Sequence, residues 1–230
     1  IGKTLIAHGS EILKEEFLPK ILANEVEFAI GYSEPEAGSD AAAMKLKAVE
    51  TDGGWILNGQ KTWTTSAHFA EWYWVGARTD PDAAKHFGIT LFLVPLDHPG
   101  ITVQGIMTMG DEITNDVFFD DVFVPDEYVV GELNHGFQYI SQALDLERFT
   151  MFTFSPIGQR LDLLIDHICT ATRDGQPLRG DPRVRSRIAR LATTAEVARG
   201  LGLRVVDASM KAEHGGGPPP TVESSEYKLF

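Results

Sequence analysis

Hydrophobic and polar positions change rhythm twice along the chain. From Ser10 to about Asn24 the apolar residues come in pairs, Ile12 with Leu13, Phe17 with Leu18 and Ile21 with Leu22, separated by Lys14, Glu15, Glu16 and Lys20. That spacing predicts an amphipathic helix N-capped by Ser10, with Pro19 kinking it or breaking it into two short helices. Between about Glu27 and Val130 the pattern changes to short β-type runs: Phe28 to Ile30, Met44 to Val49, Trp55 to Leu57, Trp72 to Ala77, Ile89 to Val94, Ile101 to Val103 and Val117 to Val124. Asp52-Gly53-Gly54 and Asn58-Gly59 read as turns between them. Strands this short and closely spaced predict an antiparallel barrel or sandwich, with intervening loops at its rim.

The rhythm turns helical again at Asn134 and Gly136 and stays so to about Thr172, with Pro156 bending or interrupting the run. Residues 173–180 read as a loop. Asp181-Pro182 then opens a long helix, an N-cap followed by proline at the first helical position. On it Val184, Ile188, Leu191, Ala195, Ala198, Gly202 and Val205 form one stripe of apolar and small residues, the pattern of a bundle seam, while Arg183, Arg187 and Arg190 fall off it. The segment His214 to Pro220 is a Gly/Pro linker, and Ser224 to Phe230 begins a further helix. The fold class is therefore α+β: a helical segment over 1–26, an antiparallel β-barrel or sandwich over 27–133, and an up-down helical bundle over 134–230.

Charge and composition narrow the function classes. With 33 acidic against 20 basic residues the net charge is −13, which repels nucleic-acid phosphate over most of the surface. The single cysteine, Cys169, has no internal disulfide partner and, in its apolar helical context, is expected to be a small buried side chain. No signal peptide or membrane-spanning apolar run is apparent, which fits a reducing cytoplasm. The chain opens on Ile1 and stops within what reads as a helix, so it is expected to be a piece of a longer protein.

Two stretches carry candidate chemistry. Tyr32-Ser33-Glu34-Pro35-Glu36-Ala37-Gly38-Ser39-Asp40 is a loop of small hydroxyl residues and glycine, suited to a phosphate or to the polar edge of a planar cofactor. Gly59-Gln60-Lys61-Thr62-Trp63-Thr64-Thr65-Ser66 offers an indole face for stacking, with Thr64, Thr65 and Ser66 as donors beside it. A Gly-x-Ser-x-Gly nucleophile elbow is absent, and the histidines lack metal-ligand spacing.

Together with Phe118-Phe119-Asp120-Asp121-Val122-Phe123-Val124-Pro125 and Leu144-Asp145-Leu146-Glu147-Arg148, these stretches resemble the acyl-CoA dehydrogenase family in order and spacing. The resemblance implies that 1–26 ends an N-terminal helical domain, that 27–133 is the β-domain with flavin-binding loops, and that 134–230 opens the C-terminal bundle, with FAD in the crevice between sheet and bundle. It implies α,β-desaturation of an acyl-CoA, the reaction of β-oxidation, with electrons passed to an electron-transfer flavoprotein, in a homodimer, homotetramer or heterotetramer. Removing a hydride from Cβ needs an acceptor such as a flavin, and removing the Cα proton needs a carboxylate held out of water. In the family that base lies either near the C-terminal end, here beyond Phe230, or in a pattern like Leu-Asp-Leu-Glu-Arg, which points to Glu147. The resemblance further assigns Ser33, Glu34, Gly38, Ser39, Trp63, Thr64 and Thr65 to the cofactor, with Trp63 on the isoalloxazine and Thr65 near N5. It assigns Ser39, Asp145 and Arg148 to the substrate.

The sequence departs from the family at two places. Glu36 stands where glycine is usual, and Ala171-Thr172-Arg173-Asp174-Gly175 displaces the arginine of an Arg-x-x-Phe-Gly pattern that reaches the flavin nucleotide of a neighbouring subunit. A non-catalytic or half-site subunit of a heteromeric dehydrogenase and an oxygen-using relative, an acyl-CoA oxidase or flavin monooxygenase, are the alternative readings.

Overall fold

The computed structural model of the protein describes residues 1–151, 154–218 and 220–227, apart from the side chains of 146, 148–151, 154 and 213. Its first elements are the helices α1 (Gly2–His8) and α2 (Glu11–Ala23). The Ser10 hydroxyl accepts the Leu13 amide, so the predicted N-cap is in place. α2 runs as one helix through Pro19, where a break was a possible outcome. Its buried face explains the continuity: Phe17 packs at 5.7 Å from the Phe28 ring and 4.8 Å edge-on from Trp72, pinning the helix to the strands that follow.

Eight strands build one sheet: β1 (Phe28–Gly31), β2 (Lys47–Thr51), β3 (Gly54–Lys61), β4 (Trp72–Arg78), β5 (Ile89–Pro95), β6 (Ile101–Met107), β7 (Ile113–Pro125) and β8 (Val129–Val130). The main path is β6-β7-β3-β2-β4-β5-β8, mostly antiparallel as the short strands predicted. Trp55 lies 5.9 Å from Phe92 and Tyr73 5.8 Å from Phe119, so side chains from distant strands meet in one core with Leu57, Val75, Val117 and Val122. Two departures shape the site. β1 and β2 both run parallel to β4, β1 along Trp72–Val75 and β2 at Arg78, so residues 32–46 leave the sheet and return through the gap between them. Asn58-Gly59, expected to be a turn, instead continues β3 past an irregularity in its pairing: Leu57 opposes Val122 and Gly59 opposes Phe119, so the extra residue lies in β7, where Asp121 takes φ 48°. Gly59 has φ 140°, a conformation other residues avoid, and the long partner β7 pairs on both sides of the irregularity.

The chain contacts divide into two compact units, Ile1–Ala143 and Leu144–Phe230. Helix α3 (Gly136–Met151) begins in the first, and α4 (Phe154–Thr170), α5 (Pro182–Glu213) and α6 (Thr221–Tyr227) belong to the second. The segment read as a loop contains a small hairpin, β9 (Thr172–Arg173) and β10 (Gln176–Pro177), turned by Asp174 and Gly175 at φ 52° and 74°. Asp181 caps α5 by accepting the Arg183 amide at 2.8 Å. The seam is buried chiefly at Ala198, Gly202 and Val205, near α6, while Leu191 is half exposed. Cys169 corrects its expected burial: it is exposed, because Leu161, Ile165 and Ile168 form the half-buried stripe of α4 and residue 169 falls beside it. Among the described residues no helix is long and apolar enough to cross a membrane.

Packing at the start of the site loop gives a sharp contrast between two glycines. A Cβ on Gly31 would sit 2.2 Å from the hydroxyl of fully buried Tyr73, whereas one on Gly38 would meet nothing within 4 Å. Gly31→Ala is expected to cost about 2 kcal/mol or more through overpacking, and Gly38→Ala under about 0.5 kcal/mol, measured by urea denaturation.

Candidate functional site

The two stretches that carried the chemistry in the sequence meet at the gap beside β4. The Thr62 amide donates to the Ser33 carbonyl at 3.0 Å, holding the loop after β1 against the end of β3. Beneath this contact lies a buried ion pair. Lys61 is fully enclosed and Glu34 is 8% exposed, their charged groups 2.8 Å apart. Glu34 also accepts the Lys45 amide on Oε2 at 2.6 Å and the Leu46 amide on Oε1 at 2.8 Å, while Lys61 Nζ donates to the Tyr32 carbonyl at 3.3 Å. Arg78 fastens the returning limb by donating to the carbonyls of Ala42 and Met44. Burial lowers the Lys61 ammonium to about 8, against the raising effect of Glu34 and with a smaller lowering from Arg78.

On this base stands an open ledge. Trp63 takes φ 56°, in the left-handed region, and its indole is 64% exposed. A bulky residue adopts that backbone only where its surroundings impose it. Thr64, the next residue, supplies the constraint. Its amide donates to the Asn115 carbonyl at 2.9 Å, its carbonyl accepts Asn115 Nδ2 at 2.8 Å, and its hydroxyl shares a 2.7 Å hydrogen bond with Tyr73. Burial drives the Tyr73 phenol far up, so it stays protonated as a neutral partner.

The sequence-selected residues therefore separate into two groups. Ser33 is half-buried, and Gly38, Ser39, Trp63 and Thr65 are exposed along the ledge and its loop. Glu34 and Thr64, grouped with them from the sequence, turn their side chains inward and spend them on the scaffold. Glu36, the anion where glycine was usual, points to solvent and pairs with Lys45 at 3.1 Å, so it does not crowd the loop. Sequence reasoning gave Lys61, Tyr73 and Asn115 no role. The signal for Lys61 was present, because alternation from Trp55 and Leu57 places residue 61 on the inner face of β3.

In the second unit Glu147 is half-buried on α3, and Asp145 accepts the Thr221 hydroxyl at 3.1 Å. Asp145 is thereby tied to the start of α6. The side chain of Arg148 lies outside the described residues.

The Lys61 shift yields a pH signature. Below pH 8 folded and unfolded chains both hold this proton; between about 8 and 10.5 only the unfolded chain does, so the contribution of this residue to stability rises with pH across that window. Melting curves of the protein and of Lys61→Met are expected to diverge in favour of the unmutated lysine between those values, and a constant difference would show that the ammonium keeps its proton.

Comparison with known proteins agrees with both units. The family described as "Acyl-CoA dehydrogenase, middle domain" matches residues 29–122, and "Acyl-CoA dehydrogenase, C-terminal domain" matches residues 134–230. The acyl-CoA dehydrogenase FadE34 of Mycobacterium tuberculosis is 39% identical over 228 residues, 99% of this chain and 30% of that protein. A chain of the ChsE4-ChsE5 complex from Mycobacterium tuberculosis superposes with a TM-score of 0.86 at 31% identity, covering 99% of this chain and 58% of that one. For the acyl-CoA dehydrogenase of Geobacillus kaustophilus the TM-score is 0.89 at 30% identity, with 99% and 60% covered. This chain thus spans less than two thirds of the length of each of these relatives, and, by its two matched domains and its ledge-bearing sheet, it belongs to the acyl-CoA dehydrogenase family.

Proposed function

We propose that the full-length protein is an FAD-dependent dehydrogenase that desaturates an acyl-CoA thioester between Cα and Cβ and passes the electrons to an electron-transfer flavoprotein. One observation carries the reading: an exposed indole, held in a left-handed backbone conformation and bonded through its neighbour to a loop of small residues. The residues present fit a flavin. Trp63 offers a flat apolar face, the exposed Thr65 a hydroxyl beside it, and the space over Gly38 is clear for a close approach to backbone amides. FAD, when bound, supplies the hydride acceptor that no side chain can provide.

The chain's own residues perform the remaining tasks. Trp63 and Ser33 orient the ring system, Thr65 donates a hydrogen bond near N5, and Ser39 serves the pyrophosphate and the CoA portion. Glu147, half-buried on α3, takes the Cα proton. Arg148 binds the CoA part of the substrate. Asp145 contributes through Thr221, fixing the helix segment that carries Glu147. The protein acts as an oligomer, a reading supported by the likeness to a chain of the ChsE4-ChsE5 complex.

Anaerobic mixing of the FAD-loaded, full-length protein with a panel of acyl-CoAs tests the assignment. Bleaching of the flavin is expected with at least one thioester and should slow by roughly 100-fold or more in Glu147→Gln, the scale of lost general-base catalysis. Undiminished bleaching in that variant would place the base elsewhere in the chain.

A further inference from the structure

We infer that Glu34 and Lys61 are positioning residues for the cofactor: a buried electrostatic clasp that sets where Ser33 and Trp63 stand relative to each other. This rests on the reading that the ledge receives FAD. The carboxylate of Glu34 joins three points far apart in sequence, its own place at the start of the loop, the amides of Lys45 and Leu46 where the loop returns, and Lys61 at the end of β3. Lys61 closes the ring by donating to the carbonyl of Tyr32. Ser33 follows Tyr32 and Trp63 lies two residues after Lys61, so both ledge residues hang directly from the clasp.

Stability alone does not account for such a pair. Moving both charges out of water costs several kcal/mol per ion, and well-packed apolar residues of similar volume usually stabilise a core as well or better. Apolar packing, however, tolerates sliding by an ångström, whereas a carboxylate shared among two amides and an ammonium has one arrangement that satisfies all of them. A stacked planar ring needs that fixity. With Lys61 at 0% and Glu34 at 8% exposure, dissolved salt screens the clasp only weakly.

The test uses full-length protein carrying Lys61→Met, the charge-free pair Glu34→Gln with Lys61→Met, and Val124→Ala as a core control remote from the loops. Val124 is buried in the sheet core and pairs with Trp55, at the end of β3 opposite to Lys61. FAD affinity is read by titrating the apoprotein, and the position of Trp63 by acrylamide quenching of the apoprotein, each corrected with the matching Trp63→Phe variant. The double variant, which retains a neutral hydrogen-bonding group at residue 34, keeps the assay decisive if Lys61→Met alone does not fold. Both clasp variants are expected to weaken FAD binding roughly 10- to 100-fold, the range lost when supporting partners of a bound group are removed, and to alter the quenching of residue 63. Val124→Ala should do neither. Unchanged affinity and quenching in the double variant, or an equal loss in Val124→Ala, would overturn the inference. Failure of the unmutated protein to bind FAD would instead overturn the functional reading, and the quenching arm would still decide whether the pair positions the indole.

Discussion

A carboxylate that accepts two backbone amides and an ammonium, all shielded from water, cannot be moved without breaking several costly bonds at once. In this protein that group is Glu34, and the geometry of the first unit is arranged around it. The loop over residues 32–46 holds a Glu34–Ala37 backbone bridge and a short 3₁₀ turn, its two limbs are tied to one oxygen pair, and the strand that ends at Lys61 is tied to the same place. Because β1 and β2 share one edge of β4, the loop enters and leaves the sheet within a few residues of Arg78, whose guanidinium binds the returning limb. The division of labour follows: charged and hydroxyl groups with high desolvation costs are spent inward, and an apolar indole is left outside.

That inversion of the usual preference is informative. A tryptophan that is 64% exposed beside a core containing Trp55 and Trp74, 6% and 1% exposed, is not short of apolar space to occupy. It is held out, by the left-handed backbone at residue 63 and by the complete satisfaction of Thr64 on Asn115 and Tyr73. Strain of this kind persists only where neighbouring structure enforces it, and here the enforcement comes from two separate strands, β4 through Tyr73 and β7 through Asn115. Under the function proposed above, the exposed ring has a use as the flat face against a planar redox cofactor.

The helical unit is built on weaker constraints. α5 presents small residues along its seam, and burial is strongest at Ala198, Gly202 and Val205, where α6 packs. Surface pairs such as Arg204 with Glu226, both well exposed, add little. The hydrogen bond from Thr221 to Asp145 ties the start of α6 to α3 within the Leu-Asp-Leu-Glu-Arg pattern.

Local physics made much of this legible from residues alone. Ser10 and Asp181 capped the helices they were expected to cap, and the strands began near their β-branched and aromatic runs, since caps and alternation act over a few neighbouring residues. The two motif stretches and their likeness to a family were equally readable, being patterns in the chain itself. What the tertiary structure decided was which side chain faces the ledge. Glu34 and Thr64 had the right chemistry for a ligand and were grouped with Ser33 and Trp63, but Lys61, Tyr73 and Asn115 claim them in the core. Asn58-Gly59 carried a sound turn signal but stays inside β3, because the long partner strand β7 offered pairing on both sides of it. The reason is common to these cases: the energy that assigns a polar group or a turn comes from partners distant in sequence, and only the folded sheet brings those partners within bonding distance.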